Sequence, residues 1–253
     1  MTTLPVQPEM ATLLDARSRT DHEISTKWVW APIASYATWA AIPTISYLFG
    51  GQTGFNLAIP TGTLGVVGFI FSAASSLLVY QLVNRRNQHF AREESLLWAS
   101  FDSSMARASQ SVMRTQLALG SAERDLAQLT EAGKEHSAVL WALLTLIPYA
   151  GWIFMTYTLA FLTHDMLKHE RQEDLVIENL SRISQGLPPR ARRTPNRPVI
   201  LYVLAGLATL GIFLLFWVYQ AVKDPQPHFE HHRAFETVLG PASTMSGSVG
   251  GPN

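Results

Sequence analysis

The chain has 253 residues, no net charge and 15% charged residues, against a usual ~25% in soluble domains. It has no cysteine, which excludes disulfides, thiolate metal sites and cysteine nucleophiles. None of the 57 residues between Lys27 and Arg85 is Asp, Glu, Lys or Arg, and Ser137–Thr163 and Pro198–Val222 are equally bare. A soluble domain would put ionised groups on its wet faces. A bilayer core costs each of them about 2.5–3.5 kcal/mol, so the composition predicts an all-α polytopic protein of the cell membrane.

Residues 1–27 carry Glu9, Asp15, Asp21 and Glu23 without an apolar run, so they read as a cytoplasmic segment rather than a cleaved signal peptide. About 20 helical residues cross a ~30 Å hydrocarbon layer, and four segments qualify. Trp28–Phe49 and Thr61–Val83 form a first hairpin (28–83), joined by the short uncharged link Gly50–Pro60. The third segment, Ala138–Thr163, is interrupted at Pro148. The fourth, Pro198–Val222, is the most regular and closes on Trp217 and Tyr219. Aromatic residues near segment ends fit interfacial belts.

Between the hairpin and the third segment, residues 84–137 read as cytoplasmic amphipathic helices. Leu97, Phe101, Met105, Ala108, Val112, Thr115, Leu119, Ala122, Leu126 and Leu129 approach a heptad seam. Gly120-Ser121 resembles a helix stop followed by an N-cap, so two helices are expected to part there. The second transmembrane pair (138–222) encloses a further helix, His164–Gln185, and a basic linker with Arg190, Arg192, Arg193 and Arg197. Residues 223–253 form a tail whose Gly-, Ser- and Pro-rich end from about 240 is expected to be disordered.

The chain also resembles itself. Val79-Tyr80-Gln81-Leu82-Val83 leads to His89-Phe90, and Val218-Tyr219-Gln220-Ala221-Val222 leads to His228-Phe229, at a constant offset of 139. A looser third copy sets Leu162 and His169 where Leu82 and His89 stand, with Glu173-Asp174 matching Glu93-Glu94. Duplication of a two-helix unit is the simplest account. The run Leu146-Ile147-Pro148-Tyr149-Ala150-Gly151-Trp152, followed by a polar tail with His164 and His169, resembles a group of small prokaryotic membrane proteins of uncharacterised function. That resemblance covers chiefly 138–178 and implies no activity.

Orientation is contested between two readings. Lys and Arg number three in the N-terminal segment, none at the first hairpin tip, seven in each polar loop and two in the tail. The positive-inside rule then places the N-terminus and second loop in the cytoplasm. Four crossings leave the seven of the third loop outside, whereas a re-entrant third segment puts seventeen inside and two outside. The repeat favours four crossings, because they return both Tyr-Gln…His-Phe tails to one face.

Eight histidines invite a metal or haem, but all lie outside the hydrophobic segments or at their edges, which argues against haem in the bilayer. His228-x-x-His231-His232 offers two imidazoles on one helical face for zinc or copper. No Cys or firm carboxylate constellation accompanies it, so no metal and no cofactor are assigned. Tyr80, His89, Tyr219 and His228, with Arg190, Arg192 and Arg193, are read as a lipid-interface set, the histidines meeting headgroup phosphate rather than lying in a core. Gly62, Gly65 and Gly68 read as small residues for helix packing. Glu93-Glu94 and Glu173-Asp174 read as solvated helix faces, and no catalytic motif appears. The expected role is a non-catalytic scaffold or accessory subunit, with the bilayer and other membrane subunits or a second copy as partners and no nucleic acid. Its binding face is Leu97, Phe101, Met105, Val112, Leu119 and Leu126. The alternative is a small transporter or channel for a neutral solute.

Overall fold

The computed structural model describes residues 10–49, 58–108, 113–183, 194–232 and 236. In chain order these hold α1 (Met10–Thr20), a 3-10 turn (Thr26–Val29), α2 (Trp30–Phe49), α3 (Ala58–Ala108), α4 (Met113–Ala132), α5 (Ala138–Thr145), α6 (Gly151–Ile183), α7 (Val199–Ala208) and α8 (Ile212–Lys223). The described residues contain no strand.

Each charge-free window folds as an antiparallel helical hairpin. In the first, Ser35 and Trp39 of α2 both reach Ser72 of α3 at 2.9 Å, and Gly68 admits the Trp39 indole so closely that a Cβ would meet it at 3.1 Å. Gly62 and Gly65 have no neighbour within 4 Å among the described residues, so among these Gly68 is the one of the three spaced glycines seen in packing. In the second hairpin Trp141 of α5 stacks on Tyr157 of α6, and His136 stacks on Phe161. In the third, Tyr202 of α7 meets Phe213 and Trp217 of α8, and Arg197 grips Asp224 and Gln220.

The third and fourth segments, expected to cross, are each broken into two helices that pack on one another; for the third this is the turn of the re-entrant alternative. Pro148 has no N–H to continue a helix, and Tyr149 follows in the left-handed region (φ 60°). The chain there passes so near Thr145 that a Cβ on Gly151 would lie 2.3 Å from the Thr145 carbonyl oxygen. At the other turn Leu210 and Gly211 take φ of 53° and 97°. The Gly211 N–H bonds back to the Gly206 carbonyl at 2.7 Å, a left-handed helix ending that glycine adopts without strain. Hydropathy alone hides such a break, because Thr209, Leu210 and Gly211 are as uncharged as their neighbours.

The hairpins differ in length. Twenty-residue α2 is about 30 Å long, while eight-residue α5 and ten-residue α7 are about 12 and 15 Å. The short hairpins end beside the middle of α2. Tyr36 donates to the Leu210 carbonyl at 2.6 Å and packs on Trp152, and Trp39 packs on Tyr149. Among the described residues, only the stretch of α3 within Thr61–Ala106 is both long and apolar enough for a full crossing, with a mean hydropathy of 1.9.

Beyond the hairpins α3 and α6 run on into a polar half, where α4 packs on both. Leu97 and Phe101 of α3, Ala122, Leu126 and Leu129 of α4, and Val176, Ile177 and Leu180 of α6 share one buried cluster. The expected open binding face is thus corrected: Leu97, Phe101 and Leu126 are covered by this chain itself. Leu119 is half-buried against the cluster, Met105 is exposed, and Val112 lies outside the described residues. The Gly120-Ser121 break is also corrected, since α4 passes straight through it. Packing against α3 and α6 outweighs one internal glycine, which costs about 1 kcal/mol.

Candidate metal centre

The three helical segments that leave the hairpins each carry a pair of ligand-type residues one turn apart. They are His89 and Glu93 on α3, His169 and Glu173 on α6, and His228 and His232 on the helical residues 226–232 that follow α8. Spacing of i,i+4 puts both members of a pair on one helix face. The faces point at one another, and all six side chains are between 0 and 2% exposed.

The imidazoles converge through one ring nitrogen each. His89 Nε2 lies 3.2 Å from His228 Nε2, and His232 Nε2 lies 2.9 Å from the same atom. The Glu173 carboxylate closes the group, 3.2 Å from His232 Nε2 and 3.7 Å from His228 Nε2. Two ligands about 2.1 Å from one tetrahedral ion would sit roughly 3.4 Å apart, so these spacings fit a single cation. His89, His228 and His232 form one triad with metal-ligand spacing, His169, Glu173 and His228 a second, and Glu93, Glu173 and His232 a third. Because they share His228, His232 and Glu173, they outline one centre.

The outward nitrogens face carboxylates. His89 Nδ1 is 2.8 Å from Asp21, His232 Nδ1 is 3.0 Å from Glu93, and His228 Nδ1 is 3.7 Å from Glu170. A carboxylate behind Nδ1 holds the proton there and leaves the Nε2 lone pair free for a metal. Asp21 and Glu93 are tied in turn to Arg92, at 2.8 and 2.5 Å, and Arg92 reaches Glu236 at 3.0 Å. His169 stacks on Phe90 with ring centroids 3.9 Å apart, and neither of its ring nitrogens has a hydrogen-bond partner.

Among the described residues, buried carboxylates gather around the centre. Asp21, Glu93, Glu170, Glu173 and Glu236 all have side chains at most 5% exposed. The buried guanidiniums among them are Arg85 and Arg92. Burial raises a carboxyl pKa, yet the charge and hydrogen bond of His232, helped by Arg92, hold Glu93 below the usual range. His232 is driven the other way. Burial would lower it, but Glu173 and Glu93 outweigh burial and push it up to about 10. His228 is pulled down to about 4, first by burial and then by the His232 charge, and burial puts His169 well below its ordinary value. Without a metal, the cluster keeps a proton on His232 to offset its carboxylates.

These positions correct the lipid-interface reading of two residues. His89 and His228 lie in the core, 0 and 2% exposed, because the repeated exits converge instead of spreading along a surface. Tyr80 is 39% exposed and Tyr219 half-buried. Arg190, Arg192 and Arg193 lie outside the described residues. Of the trio His228, His231 and His232, the structure brings the first and last into the centre; His231 belongs to none of the three triads. Sequence reasoning missed Glu93, Glu173 and His169 as ligand-type residues and Asp21 and Glu170 behind them. The signal was a ligand-type residue four positions after each repeated His. No family model matches the chain, and comparison with curated proteins and with solved structures finds no match.

Proposed function

We propose that this chain is a membrane-embedded metalloprotein. It holds one divalent first-row transition-metal ion on His89, His228, His232 and Glu173, at the base of its three hairpins. The observation that carries this reading is the convergence of three Nε2 atoms, each imidazole backed by a carboxylate on Nδ1. Nitrogen and oxygen donors in a four-coordinate arrangement suit zinc best. A 2+ ion also replaces the His232 proton as the counter-charge to the buried carboxylates. Four protein donors in a closed, buried site favour a structural role: the ion ties α3, α6 and residues 226–232 together. The protein is thus a non-catalytic membrane subunit whose fold depends on metal, and its partner surface is not the buried Leu97–Leu129 seam.

Membrane placement rests on where the apolar surface lies. Of the large exposed hydrophobic side chains, all but Met105, Leu117 and Leu175 fall in the three charge-free windows. With all three windows folded as hairpins, the 19 Lys and Arg residues occupy one side, which removes the conflict with the positive-inside rule. In this placement α3 crosses with the 30 Å α2 packed along it, and the other two hairpins enter to mid-depth. Their turns are tolerable in hydrocarbon because the backbone is satisfied within the protein, as the Tyr36–Leu210 bond illustrates.

Two experiments test the reading. Full-length protein in mild detergent, stripped with chelator and titrated with zinc, is expected to take up one equivalent, and cobalt(II) is expected to give a tetrahedral ligand-field spectrum. Failure of the His228→Ala/His232→Ala variant to lower zinc uptake would overturn the centre. Single cysteines replacing the exposed residues Asp102, Glu178 and Glu230 are all expected to react from the same membrane side with an impermeant thiol reagent. Labelling of Glu178→Cys from the opposite side would restore a crossing by the third segment.

A further inference from the structure

Beside the metal centre a small cleft of about 40 Å³ opens between α3, α6 and α8. Its walls are chiefly apolar, with Leu82, Leu162, Met166, Pro225 and Phe229 among them. His89 lines it from one side. The cleft also holds polar atoms that nothing among the described residues satisfies. Arg85 Nη1, Arg86 Nε and Thr194 Oγ1 are buried, belong to lining residues and have no hydrogen-bond partner.

Such orphans are costly. A buried donor left unmade loses roughly 1–3 kcal/mol, more if charged, so native proteins rarely leave several at one place. All three can donate, two of them from guanidinium groups. Arg85 is 2% exposed, its Nη2 makes one long bond of 3.4 Å to the Ala221 carbonyl, and its guanidinium lies over the Phe229 ring at 5.4 Å. Arg86 is clamped by Asp165 and the Lys134 carbonyl, which leaves its Nε directed elsewhere. The backbone N–H of Thr194 is bonded to Glu170, and that bond anchors the residue while its hydroxyl is free. The acid in the lining, Asp224, is already engaged by Arg197 at 3.0 Å.

We infer that this cleft binds an oxyanion, a phosphate or carboxylate, on Arg85 and Thr194, carried on a hydrocarbon chain that lies against the apolar walls. Guanidinium forks match such oxygens, and the cleft sits where the hairpins leave the apolar layer, the level at which lipid headgroups lie. The inference rests on the proposed membrane placement and not on the metal.

Native mass spectrometry of the full-length protein, released from nanodiscs of phosphatidylcholine with a minor share of phosphatidylglycerol, tests it. The wild type is expected to retain one phosphatidylglycerol selectively. Arg85→Gln is expected to weaken retention at least tenfold and Thr194→Val several-fold, with helix content and zinc content unchanged. Inorganic phosphate, titrated in detergent, is the second arm. Binding of phosphate that matches the lipid in strength and is lost in Arg85→Gln would uphold the oxyanion site and assign it to a soluble anion. Retention of lipid no different from phosphatidylcholine, together with no phosphate binding, would overturn the site. So would equal binding by wild type and Arg85→Gln. Lipid retained by a protein that takes up no zinc would sink the metal centre and leave the cleft standing.

Discussion

The two halves of this molecule are built with opposite polarity. In the hairpin half, side chains such as Ile153, Ile200, Leu207 and Leu210 are 69–83% exposed. In the polar half Glu93, Glu173, His89 and His232 are 0% exposed. Under the proposed placement, the outward apolar residues face hydrocarbon at no cost. Where charges face inward, each must find a counter-charge, because an isolated buried ion costs several kcal/mol. The polar half is thus held by a network that fails when one member goes, and the hairpin half by many small, replaceable contacts.

That contrast can be broken most sharply inside the network. Glu93→Leu removes the carboxylate that both Arg92 and His232 contact and leaves two cations buried close together. Unfolding of the metal-free protein should become easier by about 3–5 kcal/mol, read as a fall in Tm. Next in size is Asp21→Asn, which alters the group behind His89 Nδ1. Loss of such an outer partner typically costs 10–100-fold in metal affinity, measurable by competition with a zinc chelator. At the smaller end, Leu207→Ala alters a side chain 69% exposed in the hairpin half and should change stability by less than about 0.5 kcal/mol in detergent.

pH sharpens the same comparison. A histidine raised to about 10, as His232 is, gives stability that is complete below its unfolded value near 6.5 and is lost as pH rises through 10. One lowered to about 4, as His228 is, gives stability that is present above ~6.5 and fades as pH falls toward 4. The Tm of the metal-free protein should therefore peak near pH 6.5 and fall on both sides. A flat profile between pH 4 and 10 would contradict the assigned charges.

The sequence made the apolar half legible as material but not as shape. Three charge-free windows marked the hairpins, and Pro148 marked one turn. The turn at Leu210-Gly211 went unread because its cause is a left-handed backbone, which leaves no trace in hydropathy. In the polar half the helices and the seam residues were readable from spacing. Their partner was not, since α6 covers Leu97 and Leu126 from more than 40 residues away in the chain. The site was half visible. The offset of 139 aligned His89 with His228, and these two residues meet at 3.2 Å. The adjacent pairs Glu93-Glu94 and Glu173-Asp174 drew attention away from the i,i+4 relation that matters. Exposure was the wrong assumption, because charged helix faces are solvated in most proteins and only the convergence of three of them makes a core.

The one-sidedness of the charges has a consequence for biogenesis. Under the proposed placement, the turns at residues 146–150 and 209–211 that reach mid-membrane are free of Asp, Glu, Lys and Arg, and so is the sequence 50–57 between α2 and α3. Helical hairpins with neutral tips can partition into a bilayer from the face on which they are synthesised, with no ionised side chain carried through hydrocarbon at about 2.5–3.5 kcal/mol apiece. The last step of assembly then happens entirely on the synthetic side, when the third hairpin delivers His228 and His232 to a site that α3 and α6 have already half built.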